Sequence, residues 1–138
     1  MILFSCTPEA CFEETNAFVK ASFYINETGK YQAPDSLTLY GAGMQENRIY
    51  NRSRNVQPAL LPLNAGTGNC TFVIIINGIA DTVSLTYTTY PQLISKECGY
   101  TFNHTLESYS VTKYIIDTLI IRNKTITTVN EENIRIFY

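Results

Sequence analysis

The 138-residue chain has no tryptophan, one histidine (His104) and no cysteine pair at C-x-x-C spacing. Each shortage removes a class of function. A single imidazole beside cysteines at positions 6, 11, 70 and 98 falls short of a zinc ligand set, so no metal site is expected. No P-loop, G-x-G-x-x-G run or G-x-S-x-G elbow is present, so no cofactor is implied. Basic residues are also scarce: 10 Lys and Arg against 12 Asp and Glu give a net charge of −2, whereas a nucleic-acid footprint needs a basic excess. Arg48, Arg52 and Arg54 do cluster, but among Asn47, Asn51, Ser53 and Asn55, which reads as a solvated loop. The densest apolar run, Phe72-Val73-Ile74-Ile75-Ile76, is far from the roughly 20 residues of a membrane-spanning helix.

What is abundant is Thr, Tyr, Ile, Val and Phe, the residues that pack on a pleated surface. Ala17 to Ile25 alternates as a first strand, and Ser36 to Tyr40 follows Pro34-Asp35 as a second. Gly41 to Val56 reads as a long exposed loop with a short strand at Ile49-Tyr50, and the prolines of Pro58 to Leu63 confine that stretch to a sheet edge. Cys70 to Asn77 is continuous enough for a strand covered on both faces, with Cys70 pointing inward as a free thiol. Asn77-Gly78 turns it into Asp81 to Tyr87. Further strands are expected at Gln92 to Lys96, Tyr100 to Asn103, Asp117 to Arg122 and Asn133 to Tyr138, with Leu106 to Tyr114 a strand or a short helix.

About eight strands at 8–12-residue spacing predict an all-β fold, an immunoglobulin-like β-sandwich of antiparallel strands, with a helix-poor barrel as the alternative. Residues 1–10 form a tether and 11–138 a single domain. Its core is expected to include Phe72, Ile74, Ile76, Val83, Leu85, Leu119, Ile121, Ile134 and Ile136.

Leu3-Phe4-Ser5-Cys6 resembles a bacterial lipoprotein processing site, a small residue just before a cysteine at the end of an apolar stretch. Cys6 would then carry lipid. An apolar leader core of about 7–15 residues is usual, and only Ile2, Leu3 and Phe4 precede Ser5, so the leader would begin upstream of Met1. The competing reading is an ordinary cysteine in an apolar N-terminus.

These residues, together with Cys11, Asp35-Ser36-Leu37-Thr38-Leu39-Tyr40-Gly41, Leu61-Pro62-Leu63-Asn64, Thr71-Phe72-Val73, Ser95-Lys96-Glu97-Cys98-Gly99-Tyr100 and Ile134-Arg135-Ile136, resemble an uncharacterised family of Bacteroidetes lipoproteins. The resemblance implies a lipid-anchored, all-β protein of the outer membrane, periplasmic or surface-facing, and no reaction. It matches Cys11 and Cys98 to two recurrent cysteines, which an oxidising compartment would join. Unbridged buried thiols are the alternative. Cys70 departs from the family pattern, where Thr or Ser is expected.

His104 lies in Asn103-His104-Thr105, read as the edge of a turn where a partly exposed structural imidazole outweighs a general base. The chain is accordingly expected to be non-catalytic, a binding or scaffolding module with a protein or glycan partner. Its rival is a small envelope hydrolase centred on His104. Ten tyrosines motivate binding, with Tyr31, Tyr50 and Tyr90 in expected loops as candidate ligand contacts. Asp35-Ser36-Leu37, Asp81-Thr82-Val83 and Asp117-Thr118-Leu119 resemble an Asp-Ser/Thr-apolar O-glycosylation signal of Bacteroidetes envelope proteins, which would make Ser36, Thr82 and Thr118 acceptors; equally, Asp followed by Ser or Thr opens a strand. Five N-x-S/T tripeptides, at Asn26, Asn51, Asn69, Asn103 and Asn123, read as Asn-rich turns entering Thr-rich strands.

Overall fold

The computed structural model describes residues 16–138, and Cys6, Cys11 and the expected 1–10 tether lie outside them. The described chain is all-β and no helix occurs in it. Ten strands form: β1 (Phe18–Tyr24), β2 (Leu37–Gly41), β3 (Tyr50–Ser53), β4 (Ala59–Pro62), β5 (Asn69–Ile76), β6 (Ile79–Ser95), β7 (Gly99–Val111), β8 (Thr118–Ile121), β9 (Thr125–Ile126) and β10 (Ile134–Phe137). They make two sheets, one ordered β4-β1-β10-β8 and the other β3-β2-β5-β6-β7-β9.

Alternation sets which side chains the two sheets share. Val19, Ala21 and Phe23 of β1 and Ile134 and Ile136 of β10 meet Leu37, Leu39, Phe72, Ile74, Ile76, Val83 and Leu85 of the larger sheet in one buried cluster. Of the expected core only Ile121 is half-exposed, at the edge of that cluster. The run in β5 departs from expectation: Phe72, Ile74 and Ile76 are buried while Val73 and Ile75 stay half-exposed, so one face is covered and not two. Asn77 (φ 51°) and Gly78 (φ 85°) form the two-residue turn from β5 to β6, the primed geometry that matches strand twist.

Several sequence expectations are corrected. Strands number ten, and the sheet of β1 is not wholly antiparallel, because β1 runs parallel to β10 (Ala21↔Ile134 to Tyr24↔Phe137). Leu106 to Val111 is strand, continuous with Tyr100 to Asn103 in β7, and β6 runs unbroken through Pro91. His104 therefore lies inside a strand, not at a turn. Long-range pairing of β6 with β7 from Val83↔Val111 to Ser95↔Gly99 overrides the local breaks suggested by Pro91 and the polar residues near it. The prolines do place β4 at an edge. Just ahead of it Gln57 extends the ladder with its side chain: its Oε1 accepts from Phe23 N at 2.8 Å and its Nε2 donates to Phe23 O at 3.0 Å.

Buried polar groups tie the two sheets together. Asn133, 1% exposed, accepts from Lys20 N at Oδ1 (2.9 Å), and its Nδ2 donates to the carbonyls of Asn123 and Thr125 (both 3.1 Å). It joins β1, the β8–β9 turn and the entry to β10. Lys20 Nζ donates to Thr127 O at 2.8 Å from the outer side of β1. Asp81 does similar work at the opposite end of the sandwich. It sits in the inward row with Val83 and Leu85, and its carboxylate accepts from Thr112 Oγ1 (2.5 Å), Tyr114 N (2.8 Å), Ile115 N (2.8 Å) and Ile116 N (2.8 Å). These donors belong to the segment that leaves the larger sheet at Val111 and enters the smaller one at Thr118.

Candidate functional site

The two longest strands set up the site. β5 pairs with β6 only as far as Asn69↔Thr86, and β9 pairs with β7 only at His104 and Thr105. From Tyr90 to Asn103, β6 and β7 have no further strand on either side among the described residues and continue as a two-stranded arm. Directly paired residues of an antiparallel ribbon share a face. The inward row of the larger sheet therefore runs on through Tyr87/Leu106, Thr89/His104, Pro91/Phe102 and Leu93/Tyr100. Tyr87, Leu106 and His104 are buried, whereas Phe102 is 54%, Leu93 53% and Tyr100 71% exposed. A core-patterned row thus leaves the cover of the smaller sheet and emerges into solvent.

The base of the arm opens on a hollow of about 170 Å³, lined by Ala17 and Phe18 at the start of β1, by Pro62 and Leu63, and by Phe102 and His104. His104 is 2% exposed. Its Nδ1 lies 2.9 Å from Thr89 Oγ1 and its ring meets Tyr87 edge-on at 5.2 Å. Burial holds its pKa below the ordinary histidine value. Among the described residues the ring's hydrogen bond is with the Thr89 hydroxyl, and no carboxylate bonds it. Because the unfolded imidazole binds a proton more readily than the folded one, stability should be complete above about pH 6.5 and fall as pH drops below it. His104→Gln should remove that step from a plot of denaturation midpoint against pH, and an unchanged profile would contradict it.

Pro62 and Leu63 also border a second, more apolar cleft of about 440 Å³, with Met44, Ile49, Phe72 and Cys70. Cys70 is the free cysteine of the described residues and is half-buried. Its register partner is the inward-facing Leu85, and its Sγ is 3.2 Å from Tyr87 Oη, which donates to Asn64 O at 2.5 Å. Burial first, and then the Cys70 contact, push the Tyr87 hydroxyl up to about 12. Tyr87 is thus a neutral strut that fastens the turn between β4 and β5. Cys98, in the turn of the arm, is not a free thiol; its expected partner Cys11 lies outside the described residues.

The opposite face of the arm carries Tyr90/Asn103 and Gln92/Thr101. Asn103 Nδ2 donates to Gln92 Oε1, while Asn103 Oδ1 is the one buried side-chain polar atom without a hydrogen bond among the described residues. At 1% exposure Asn103 is no accessible glycan acceptor.

The remaining sequence candidates are dispersed. Tyr31, 54% exposed, packs edge-on against Tyr24 at 5.4 Å, beside the Glu132–Arg135 ion pair (2.7 Å) on the outer side of the smaller sheet. Tyr50 is half-buried and its hydroxyl accepts from Leu60 N at 2.9 Å, which closes the edge between β3 and β4. Tyr90 is 40% exposed on the arm. None of the three lines a described cavity. Ser36 and Thr82 are half-buried and Thr118 is exposed, while Asp81, the acid of the second signal, is committed to its clamp. Sequence reasoning missed Leu93, Tyr100 and Phe102 as a surface. The signal was the length of apolar alternation on both sides of Lys96-Glu97, longer than one sheet width needs.

No metal-binding group of three or more His, Cys, Asp or Glu occurs among the described residues, and no helix among them is long and apolar enough to cross a membrane. Neither a curated protein nor a solved structure matches the chain. A family of unknown function (DUF6452) matches residues 36–138, from just ahead of β2 through β10, and the chain belongs to that family.

Proposed function

We propose that the protein is a non-catalytic module of the bacterial cell envelope, anchored to the outer membrane by lipid on Cys6, that binds or scaffolds a partner through the uncovered end of its sandwich. The observation that carries the binding half is the row Pro91/Phe102 and Leu93/Tyr100. An apolar face patterned like core and left without a covering sheet is the usual mark of a contact surface. The anchor half rests on Leu3-Phe4-Ser5-Cys6 and the resemblance it supports. A Cys11–Cys98 bridge belongs to this reading, since Cys98 is not free and Cys70 is. So does an immunoglobulin-like assignment of the sandwich, with two sheets over one core.

The hydrolase reading has one observation in its favour, the Thr89 hydroxyl on His104. Against it, the hollow beside His104 is about 170 Å³, below the several hundred of an ordinary ligand pocket.

Expressed from its full gene in its native host, the protein should fractionate with membranes and carry an acylated Cys6, because each buried methylene of an acyl chain contributes about 0.8 kcal/mol. Cys6→Ala should move it to the soluble fraction. An unmodified Cys6 in the mature native protein, read by mass spectrometry, would overturn the anchor.

A further inference from the structure

We propose that the exposed inner face of the β6–β7 arm, centred on Leu93, Tyr100 and Phe102, is a membrane-contact surface that lies in the lipid interface. The inference deepens the anchored reading by naming the partner of the uncovered face as the bilayer itself.

Three features favour lipid over a protein occupant. The first is charge. Between Thr88 and Leu106 the charged side chains are Lys96 and Glu97, adjacent in the turn and of opposite sign, so the arm is almost free of charge. Such a ribbon has little with which to steer or orient a protein partner, for which charge complementarity sets encounter and register. The second is area. With side chains of about 150–250 Å² each, the exposed fractions of Leu93 (53%), Tyr100 (71%) and Phe102 (54%) sum to roughly 350 Å² of apolar surface. That is under half of the roughly 800 Å² per partner of a stable protein interface, so a second copy is not held by this face alone. The composition instead suits the headgroup boundary, where amphipathic aromatic rings are enriched. The third is position. Under the proposed Cys11–Cys98 bridge, the turn of the arm is joined to a residue five positions from Cys6, at most about 18 Å of extended chain. Lipid on Cys6 and the face of the arm would then reach the same surface.

The chain has no tryptophan, so one introduced indole is a clean reporter. Non-acylated full-length protein carrying Phe102→Trp is titrated with phosphatidylcholine vesicles, with and without brominated acyl chains. Ile79→Trp, at the far end of β6 and at a position 44% exposed, serves as the control. The expected result is a blue shift and bromine quenching for Phe102→Trp and neither for Ile79→Trp. Adding Leu93→Glu to Phe102→Trp should weaken vesicle binding about tenfold or more. Tyr100→Glu should do the same, and it gives an independent arm should Leu93→Glu fail to fold by circular dichroism. The proposal is overturned if neither reporter shifts, if both shift equally, if the glutamate variants bind vesicles undiminished, or if the Phe102→Trp shift follows protein concentration without lipid, which would assign the face to a second copy. Unmodified Cys6 in the native protein together with a quenched Phe102→Trp would retire the anchor and keep the lipid face.

Discussion

Asp81→Ala should destabilise the protein by about 3 kcal/mol and lower its melting temperature by roughly 10 °C, among the largest effects of any polar substitution here. One carboxylate, 2% exposed, accepts the Thr112 hydroxyl and the amides of Tyr114, Ile115 and Ile116, and the Ile116 amide is itself buried. Removing the acceptor leaves those donors without a partner at the point where the chain crosses between sheets, and water can reach only some of them. Asp81→Asn keeps a single acceptor and turns an amide donor toward backbone N–H groups, so it should recover at most half of the loss. Burial of Asp81 acts to raise its pKa, but the Thr112 hydroxyl and the three amides outweigh burial and hold it below the ordinary carboxylate value. The sign follows from linkage. The stabilisation is complete above the unfolded value near 3.9 and is lost as pH falls through the lower folded value. The difference between wild type and Asp81→Asn in urea denaturation should accordingly narrow below about pH 4. A difference that stays constant with pH would show that the carboxylate charge is not what holds the crossover.

Ile74→Ala should cost about 2–5 kcal/mol, and its neighbour Ile75→Ala less than about 1 kcal/mol. Both sit in β5, one residue apart and identical in chemistry. Ile74 is 1% exposed and packs between the sheets, while Ile75 is half-exposed on the outer face. The contrast measures cavity formation against loss of partly solvated surface, with strand propensity and hydrophobicity held constant. Equal costs, measured by urea denaturation with matched slopes, would mean that the outer face is covered as fully as the inner one.

The row of Ile134 and Ile136 in β10, the Asn77-Gly78 turn and the edge position of the proline-bearing β4 were all legible in the amino-acid order, because each depends on local alternation or on a single residue's backbone preference. Less legible were the features that depend on residues far apart in sequence. His104 read as the edge of a turn because Asn103 and Thr105 flank it, yet pairing with Thr89 makes it a buried strand residue. Asp81 read as an acid opening a strand or a modification signal. Its role is fixed by donors more than 30 residues further along the chain. Tyr50 read as an exposed contact, but its hydroxyl is taken by the amide of Leu60.

Composition and alternation by themselves determined that this chain is rich in strands and which side of β1, β6 as far as Tyr87, and β10 is apolar. Only the tertiary structure decided that the first strand runs parallel to the last, that β6 and β7 outrun the other sheet, and that Leu93, Tyr100 and Phe102 therefore stand exposed. The physical reason is that a period of two says which side of a strand is apolar, whereas whether that side is covered depends on how far the opposing sheet extends, a property of strands distant in sequence.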